Sequence, residues 1–242
     1  MSRLTAWAAR SSYPVDTKAC GMRSKPTCHN SKIETKMNHS LDILYGGEPL
    51  EKADKALIML HGRGADAESI LSLAPHLKLP GFALLAPRAS RNSWYPHSFM
   101  APAATNEPWL TSALETVGRT LDIVQSAGIE PRNIYFLGFS QGACLTLEFT
   151  ARHATRYGGI VALTGGLIGE EIDRSPYRGD FAGTPIFLGS GDPDFHVPVE
   201  RVTESAQILR EMHADVTLKI YPGRGHTVSE EEIMLVNQLI LP

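Results

Sequence analysis

Cysteine is scarce in this chain. Its three residues, Cys20, Cys28 and Cys144, are too few for the disulfide framework of a small secreted domain. They contain no C-x-x-C pair of the kind that starts a zinc site. A reducing compartment is the simpler reading, and Cys144, set in an apolar run, reads as a small buried hydrophobe. Long apolar runs are missing too. No stretch approaches the roughly 18 residues of a membrane span, which argues against stable membrane insertion. Nor is there a surplus of one charge: the formal net charge is −3 and the pI is near 6.3. That gives no basic surface for nucleic acid or for an anionic membrane. Acidic residues are almost absent from one region. Residues 1–36 hold only Asp16 and Glu34 among many Ser, Thr, Lys and Arg. They show no lasting period and no continuous apolar core of a secretory signal. Residues 1–36 are therefore expected to be a disordered extension, with an organelle transit peptide as the alternative. Residues 37–242 are the expected domain, about 200 residues, enough for one sizeable core.

That domain alternates two kinds of segment. Short, nearly continuous apolar runs read as buried parallel strands: Lys55–Leu60 (KALIML), Phe82–Ala86 (FALLA), Asn133–Leu137 (NIYFL), Gly159–Leu163 (GIVAL) and Pro185–Leu188 (PIFL). Val216–Tyr221 (VTLKIY) alternates and reads as a strand as well. Between them, Leu114, Val117, Leu121 and Val124 recur at helical spacing and form one apolar face. Ala143–His153 and Val199–His213 fit helices. A last helix, about Ser229 to Leu239, opens with a capping box, Ser229 and Glu232. Regular alternation of this kind predicts an α/β fold: a mostly parallel central sheet with helices on both faces. Sites in such sheets lie at the carboxyl ends of the strands, so the residues just after each strand are the ones to inspect.

Gly138-Phe139-Ser140-Gln141-Gly142 follows the strand NIYFL and precedes a helix. This is G-x-S-x-G in the strand–turn–helix setting that presents a serine hydroxyl on a sharp, strained turn. Side chains at Gly138 or Gly142 would crowd the neighbouring strand and helix. The backbone N–H of Gln141, at the helix start, points to where an oxyanion would form. A serine hydroxyl needs a histidine to take its proton, and the histidine needs a carboxylate to hold its tautomer. Of nine histidines, His226 follows a late strand in the glycine-rich loop Pro222–His226. The α/β-hydrolase fold runs in the order serine, acid, histidine. His61 ends a strand but precedes the serine, and reads as a structural hydrogen-bonding residue. His153 and His213 end helices and read as surface residues. The acid belongs after PIFL, where Asp192 and Asp194 compete and either could reach His226.

Residues 38–241 resemble the phospholipase/carboxylesterase group of α/β-hydrolases, which includes the acyl-protein thioesterases. Four motifs carry the resemblance: Leu60-His61-Gly62-Arg63-Gly64, the Gly138–Gly142 elbow, Gly191-Asp192-Pro193-Asp194-Phe195-His196-Val197-Pro198, and Gly223-Arg224-Gly225-His226. The resemblance implies that the acid is the aspartate of D-x-x-V-P, here Asp194. It implies that the second oxyanion donor is the backbone N–H of Arg63. It likens Trp94 to the family's aromatic residue near the acyl site. The first loop, H-G-R-G-A, departs from the H-G-L-G-D usual in acyl-protein thioesterases and is similar to a bacterial-type esterase branch.

The expected activity is that of a serine carboxylesterase on short- to medium-chain esters. The alternatives are an acyl(-protein) thioesterase or lysophospholipase, and a non-catalytic binding protein on the same fold. The expected partner is a small ester or thioester, with no nucleic acid, no cofactor and no metal, and a cytoplasmic location. A homodimer is compatible with the sequence. The Arg63 side chain has two readings, an anion contact or a solvated bystander. Tyr95, Phe99 and Trp109 read as anchors of the long loop Arg88–Pro108. Thr164–Thr184 is long enough for a short helix and a loop, and too short for a large cap domain.

Overall fold

The computed structural model describes residues 38–242. The expectation for residues 1–36, including Cys20 and Cys28, lies outside the described residues. Seven strands form one sheet: β1 (Ile43–Gly47), β2 (Lys55–Leu60), β3 (Phe82–Pro87), β4 (Ile134–Phe139), β5 (Gly159–Leu163), β6 (Pro185–Asp192) and β7 (Asp215–Pro222). Their order across the sheet is β1-β3-β2-β4-β5-β6-β7. Only β1 runs antiparallel, against β3; the other pairings are parallel. Five α-helices accompany them: α1 (Ala67–Leu71), α2 (Trp109–Ser126), α3 (Gln141–Arg152), α4 (Val199–Glu211) and α5 (Glu230–Leu239).

The apolar side chains divide into two clusters, one on each face of the sheet. Val117, Leu121 and Val124 of α2, Leu145 and Phe149 of α3, and Val202 and Leu209 of α4 pack on one face. Ile70 of α1 and Ile233 and Val236 of α5 pack on the other. The strands between them are buried on both faces, which is why they read as continuous apolar runs rather than alternating ones. The fold is thus the α/β architecture expected from the alternation, with no cap domain among the described residues.

Three local expectations are corrected. The strand PIFL continues through Gly189-Ser190-Gly191-Asp192, each residue in register with β7. Its glycines look like loop residues in sequence but serve close packing. A Cβ on Gly189 would lie 2.4 Å from Glu232 Oε1, and one on Gly191 would lie 2.1 Å from the Arg224 carbonyl. Thr164–Thr184 forms no helix. Its carbonyls at Leu167, Gly169 and Glu170 are instead taken by the buried Arg201 guanidinium, at 3.2, 2.5 and 2.7 Å, so the backbone needs no helical bonds there. Finally, β1 and α1 are both five residues long and were not foreseen. β1, ILYGG, is a partly exposed edge strand with two glycines and so leaves no continuous apolar run, and α1 is too short to show a helical period.

Candidate active site

The site forms at the carboxyl ends of β2, β4, β6 and β7. At the end of β4 the chain turns sharply into α3, and Ser140 at that corner has φ 55° and ψ −119°. This is a backbone conformation that costs an L-residue on the order of 1–3 kcal/mol. Its surroundings hold it there. The Ser140 N–H donates to the Leu163 carbonyl of β5 at 2.9 Å, and the Ser140 carbonyl accepts from Cys144 at 3.0 Å. A Cβ on Gly138 would meet the Gly142 carbonyl at 2.3 Å, and one on Gly142 would meet the Leu60 carbonyl at 2.1 Å. Both glycines are therefore required by contact.

His226 lies between the serine and the acid. Its Nε2 is 2.8 Å from Ser140 Oγ, and its Nδ1 is 2.8 Å from Asp194 Oδ2. The Asp194 side chain has no exposed surface, while His226 keeps 22% of its own. The second carboxylate oxygen, Oδ1, accepts the N–H groups of His196 at 2.8 Å and Val197 at 3.1 Å. Burial pushes the Asp194 pKa up, but the hydrogen bonds from His226 and the two backbone N–H groups, with the charge of His226, outweigh it. The carboxyl stays below its ordinary range, hence ionised. Asp192, the competing aspartate, is exposed at the end of β6, and its backbone carbonyl accepts from Gly223. Phe139 and His196 flank the His226 ring, with centroids 5.2 and 5.0 Å away.

The turn after β2 sits against the elbow: a Cβ on Gly62 would come within 3.4 Å of Ser140 Cβ. His61 holds this turn. Its Nε2 accepts the Ala89 N–H at 3.1 Å and its Nδ1 donates to the Gly62 carbonyl at 2.8 Å. Burial lowers its pKa, so the ring is neutral and the tautomer is fixed by these two bonds. The structural reading of His61 is the one observed. The Arg63 guanidinium donates to the carbonyls of Pro96, at 2.6 Å, and His97, and lies over the Tyr95 ring. It thereby ties the turn to the long loop, a role neither reading of the sequence included.

Gln141 contributes more than its backbone N–H, which as the first of a helix has no intrahelical acceptor. Its buried side chain accepts from the Trp94 N–H at 2.9 Å and donates to the Tyr95 carbonyl at 2.8 Å. Trp94 itself is fully buried, and its indole N–H donates to the His61 carbonyl at 2.9 Å. With no exposed surface it does not wall a groove; it supports the turn from beneath. Tyr95 and Phe99 are buried and anchor the loop as expected. Cys144 is buried and its thiol is pushed up to about 12 by burial, consistent with an inert core residue.

Sequence reasoning missed Arg224. Its guanidinium lies 4.1 Å from the Tyr221 ring centroid and donates to Ser229 Oγ and, at 3.3 Å, to Glu232 Oε2. Glu232 is almost wholly buried, and burial, only partly offset by Ser229 and Arg224, raises its pKa. This group ties the His226 loop to the start of α5. The capping box had marked Ser229 and Glu232, but an arginine inside a glycine-rich loop carried no signal of its own.

Comparison with known proteins identifies the family. The phospholipase/carboxylesterase family profile matches residues 47–241. The chain belongs to the phospholipase/carboxylesterase family. A crystal structure of a family member from Dyadobacter fermentans superposes with a TM-score of 0.84 at 54% identity, over 85% of this chain and 98% of that one. Acyl-protein thioesterase 1 of Kluyveromyces lactis is 28% identical over 211 residues, 78% of this chain and 92% of that protein. A probable carboxylesterase of Arabidopsis thaliana, SOBER1-like, is 30% identical over 133 residues, spanning about half of each chain (55% and 51%). As a member of this family the chain is an ester hydrolase. Among the described residues no helix is long and apolar enough to cross a membrane.

Proposed function

We propose that this family member is a serine carboxylesterase acting on short- to medium-chain esters through an acyl-enzyme. The observation that carries the reading is the continuous hydrogen-bonded line Ser140–His226–Asp194, with 2.8 Å at both links. Ser140 Oγ attacks the ester carbonyl while His226 Nε2 takes its proton. The developing oxyanion is held by the backbone N–H groups of Arg63 and Gln141. The C–O bond to the alcohol breaks and His226 returns the proton to the leaving oxygen. Water then attacks the acyl-serine by the same route in reverse and releases the acid. Asp194 stays ionised throughout and holds the tautomer in which Nδ1 carries the proton.

The acyl-chain limit follows from the loops. No cap domain is present among the described residues, and the Arg88–Pro108 loop is tied down by Arg63 and Gln141; these features support the reading of an open, short acyl groove. Each buried methylene adds about 0.8 kcal/mol only while the groove lasts. The name of the Kluyveromyces lactis relative keeps acyl thioesters as the second substrate class. A cytoplasmic location suits an enzyme whose described cysteine, Cys144, is free.

A fluorophosphonate probe followed by a panel of matched esters, thioesters and amides tests the reading. Label on Ser140, its loss in Ser140→Ala with an unchanged fold, and an ester rate that peaks at a short or medium acyl chain are expected. Absence of label and of hydrolysis in the wild type would return the chain to the non-catalytic alternative.

A further inference from the structure

Phe195 is 94% exposed, whereas the other exposed large apolar side chains among the described residues, Leu41, Tyr45, Met234 and Leu239, reach at most 59%. A lone apolar ring on an arbitrary surface needs no explanation. This one is placed by the site itself. It follows Asp194, whose side chain is fully buried, and precedes His196, whose ring packs 5.0 Å from that of His226. Asp194 Oδ1 accepts the N–H groups on both sides of the His196 peptide unit, at His196 and Val197. The carboxylate that orients His226 therefore also fixes the turn on which Phe195 stands. The ring is held out into water by a hydrogen-bonded turn whose flanking residues, Asp194 and His196, both contact His226.

The chemistry assigns a side of the substrate to that turn. In the tetrahedral intermediate the oxyanion faces the N–H groups of Arg63 and Gln141, on the side of β2 and α3. The leaving oxygen must lie within hydrogen-bond reach of His226 Nε2, which protonates it. The leaving group consequently extends over the His226 side, where Phe195 stands, and the acyl chain extends elsewhere. Resting on the serine-esterase reading above, we propose that Phe195 is a specificity-determining contact for the leaving group, and that the substrate class is an ester or thioester of an apolar alcohol or thiol.

The test uses the full chain and acetate esters of methanol, n-hexanol and 2-phenylethanol, alcohols of similar leaving ability, beside an acyl series of methyl esters. Wild type is expected to prefer the two larger alcohols. Phe195→Ala is expected to lower the hexyl/methyl and phenylethyl/methyl ratios of kcat/KM by about 5- to 10-fold, mainly through KM, the scale of one lost aromatic contact. Phe195→Leu is expected to restore part of the ratio, and both variants to keep the melting temperature. Equal loss on the methyl ester would make Phe195 a support of the triad and overturn the inference. So would a loss that follows the acyl series, or an unchanged alcohol ratio. A wild type that hydrolyses none of these esters and takes no fluorophosphonate overturns the esterase reading together with this one, whereas an active wild type with an indifferent Phe195→Ala overturns this inference alone.

Discussion

The serine and its two partners are held in place by different means. Ser140 is fixed by backbone against backbone: two glycines with no room for a Cβ, and amide hydrogen bonds to β5 and within α3. His226 and Asp194 stand on loops where backbone packing of Gly191 and Gly223 is supplemented by side chains: the Arg224–Glu232–Ser229 tie, the Asp194 turn and the rings of Phe139 and His196. A backbone constraint of this kind resists gradual adjustment, because a single added methyl collides. A side-chain constraint can be weakened in steps. The elbow therefore sets where the reaction occurs, and the loops set how well the base is aimed.

The largest expected effect lies on the side-chain-held half. Asp194→Asn presents an amide to Nδ1 and favours the wrong tautomer, a loss in kcat on the order of 10⁴ in the protease precedent. Asp192→Asn, at an exposed position, should stay within about twofold, as surface changes usually do. Steady-state kinetics on both variants decides between them, and the reverse ranking moves the acid to Asp192. On stability the contrast inverts. Gly142→Ala forces a Cβ to 2.1 Å from the Leu60 carbonyl and should cost about 3 kcal/mol or prevent folding. Gly225→Ala, in the His226 loop, meets nothing within 4 Å and should change the unfolding free energy by less than about 0.5 kcal/mol. Equal costs in a urea titration would break the comparison.

Arg224→Met should lower kcat roughly tenfold with little change in KM, because the loop that aims His226 loosens while the groove is untouched. Arg224→Lys should recover only part of it, since an ammonium cannot reproduce the guanidinium's fork and stacking. A rise in KM at constant kcat would instead place Arg224 against substrate. The smallest effect concerns pH. The native Asp194 carboxyl titrates below its unfolded value, so its contribution to stability is full above the ordinary carboxylate range. That contribution is lost as pH falls through the lowered native value. The difference in melting temperature between wild type and Asp194→Asn should therefore be present at neutral pH and close below about pH 4. A difference that grew on acidification would mean that Asp194 is held protonated.

The same contrast explains what could be read from sequence. The elbow was legible because its constraint is local: five consecutive residues between a strand and a helix. The strands of the sheet were legible because burial on both faces leaves continuous apolar runs. His226 and Asp194 lie 86 and 32 residues from the atoms they serve. Spacing alone left Asp192 and Asp194 equal, and the family resemblance was needed to choose. Trp94 was misread for a related reason. An aromatic residue near a site looks the same in sequence whether its ring faces the groove or, as here, supports the turn from below through one indole hydrogen bond. The Gly189–Asp192 segment of β6 resembles a loop in sequence because glycine marks both a turn and a close approach.

The Gln141 side chain has a consequence for how such a site changes over time. Its two shorter bonds to the long loop go to main-chain atoms, the N–H of Trp94 and the carbonyl of Tyr95, and only a longer one, at 3.5 Å, comes from a side chain, the Ser93 hydroxyl. These two bonds dock the loop to the elbow without regard to the side chains that point outward. Its outward residues are free to diversify, and with them the shape offered to a substrate, while the distance between the loop and the reacting serine is inherited intact.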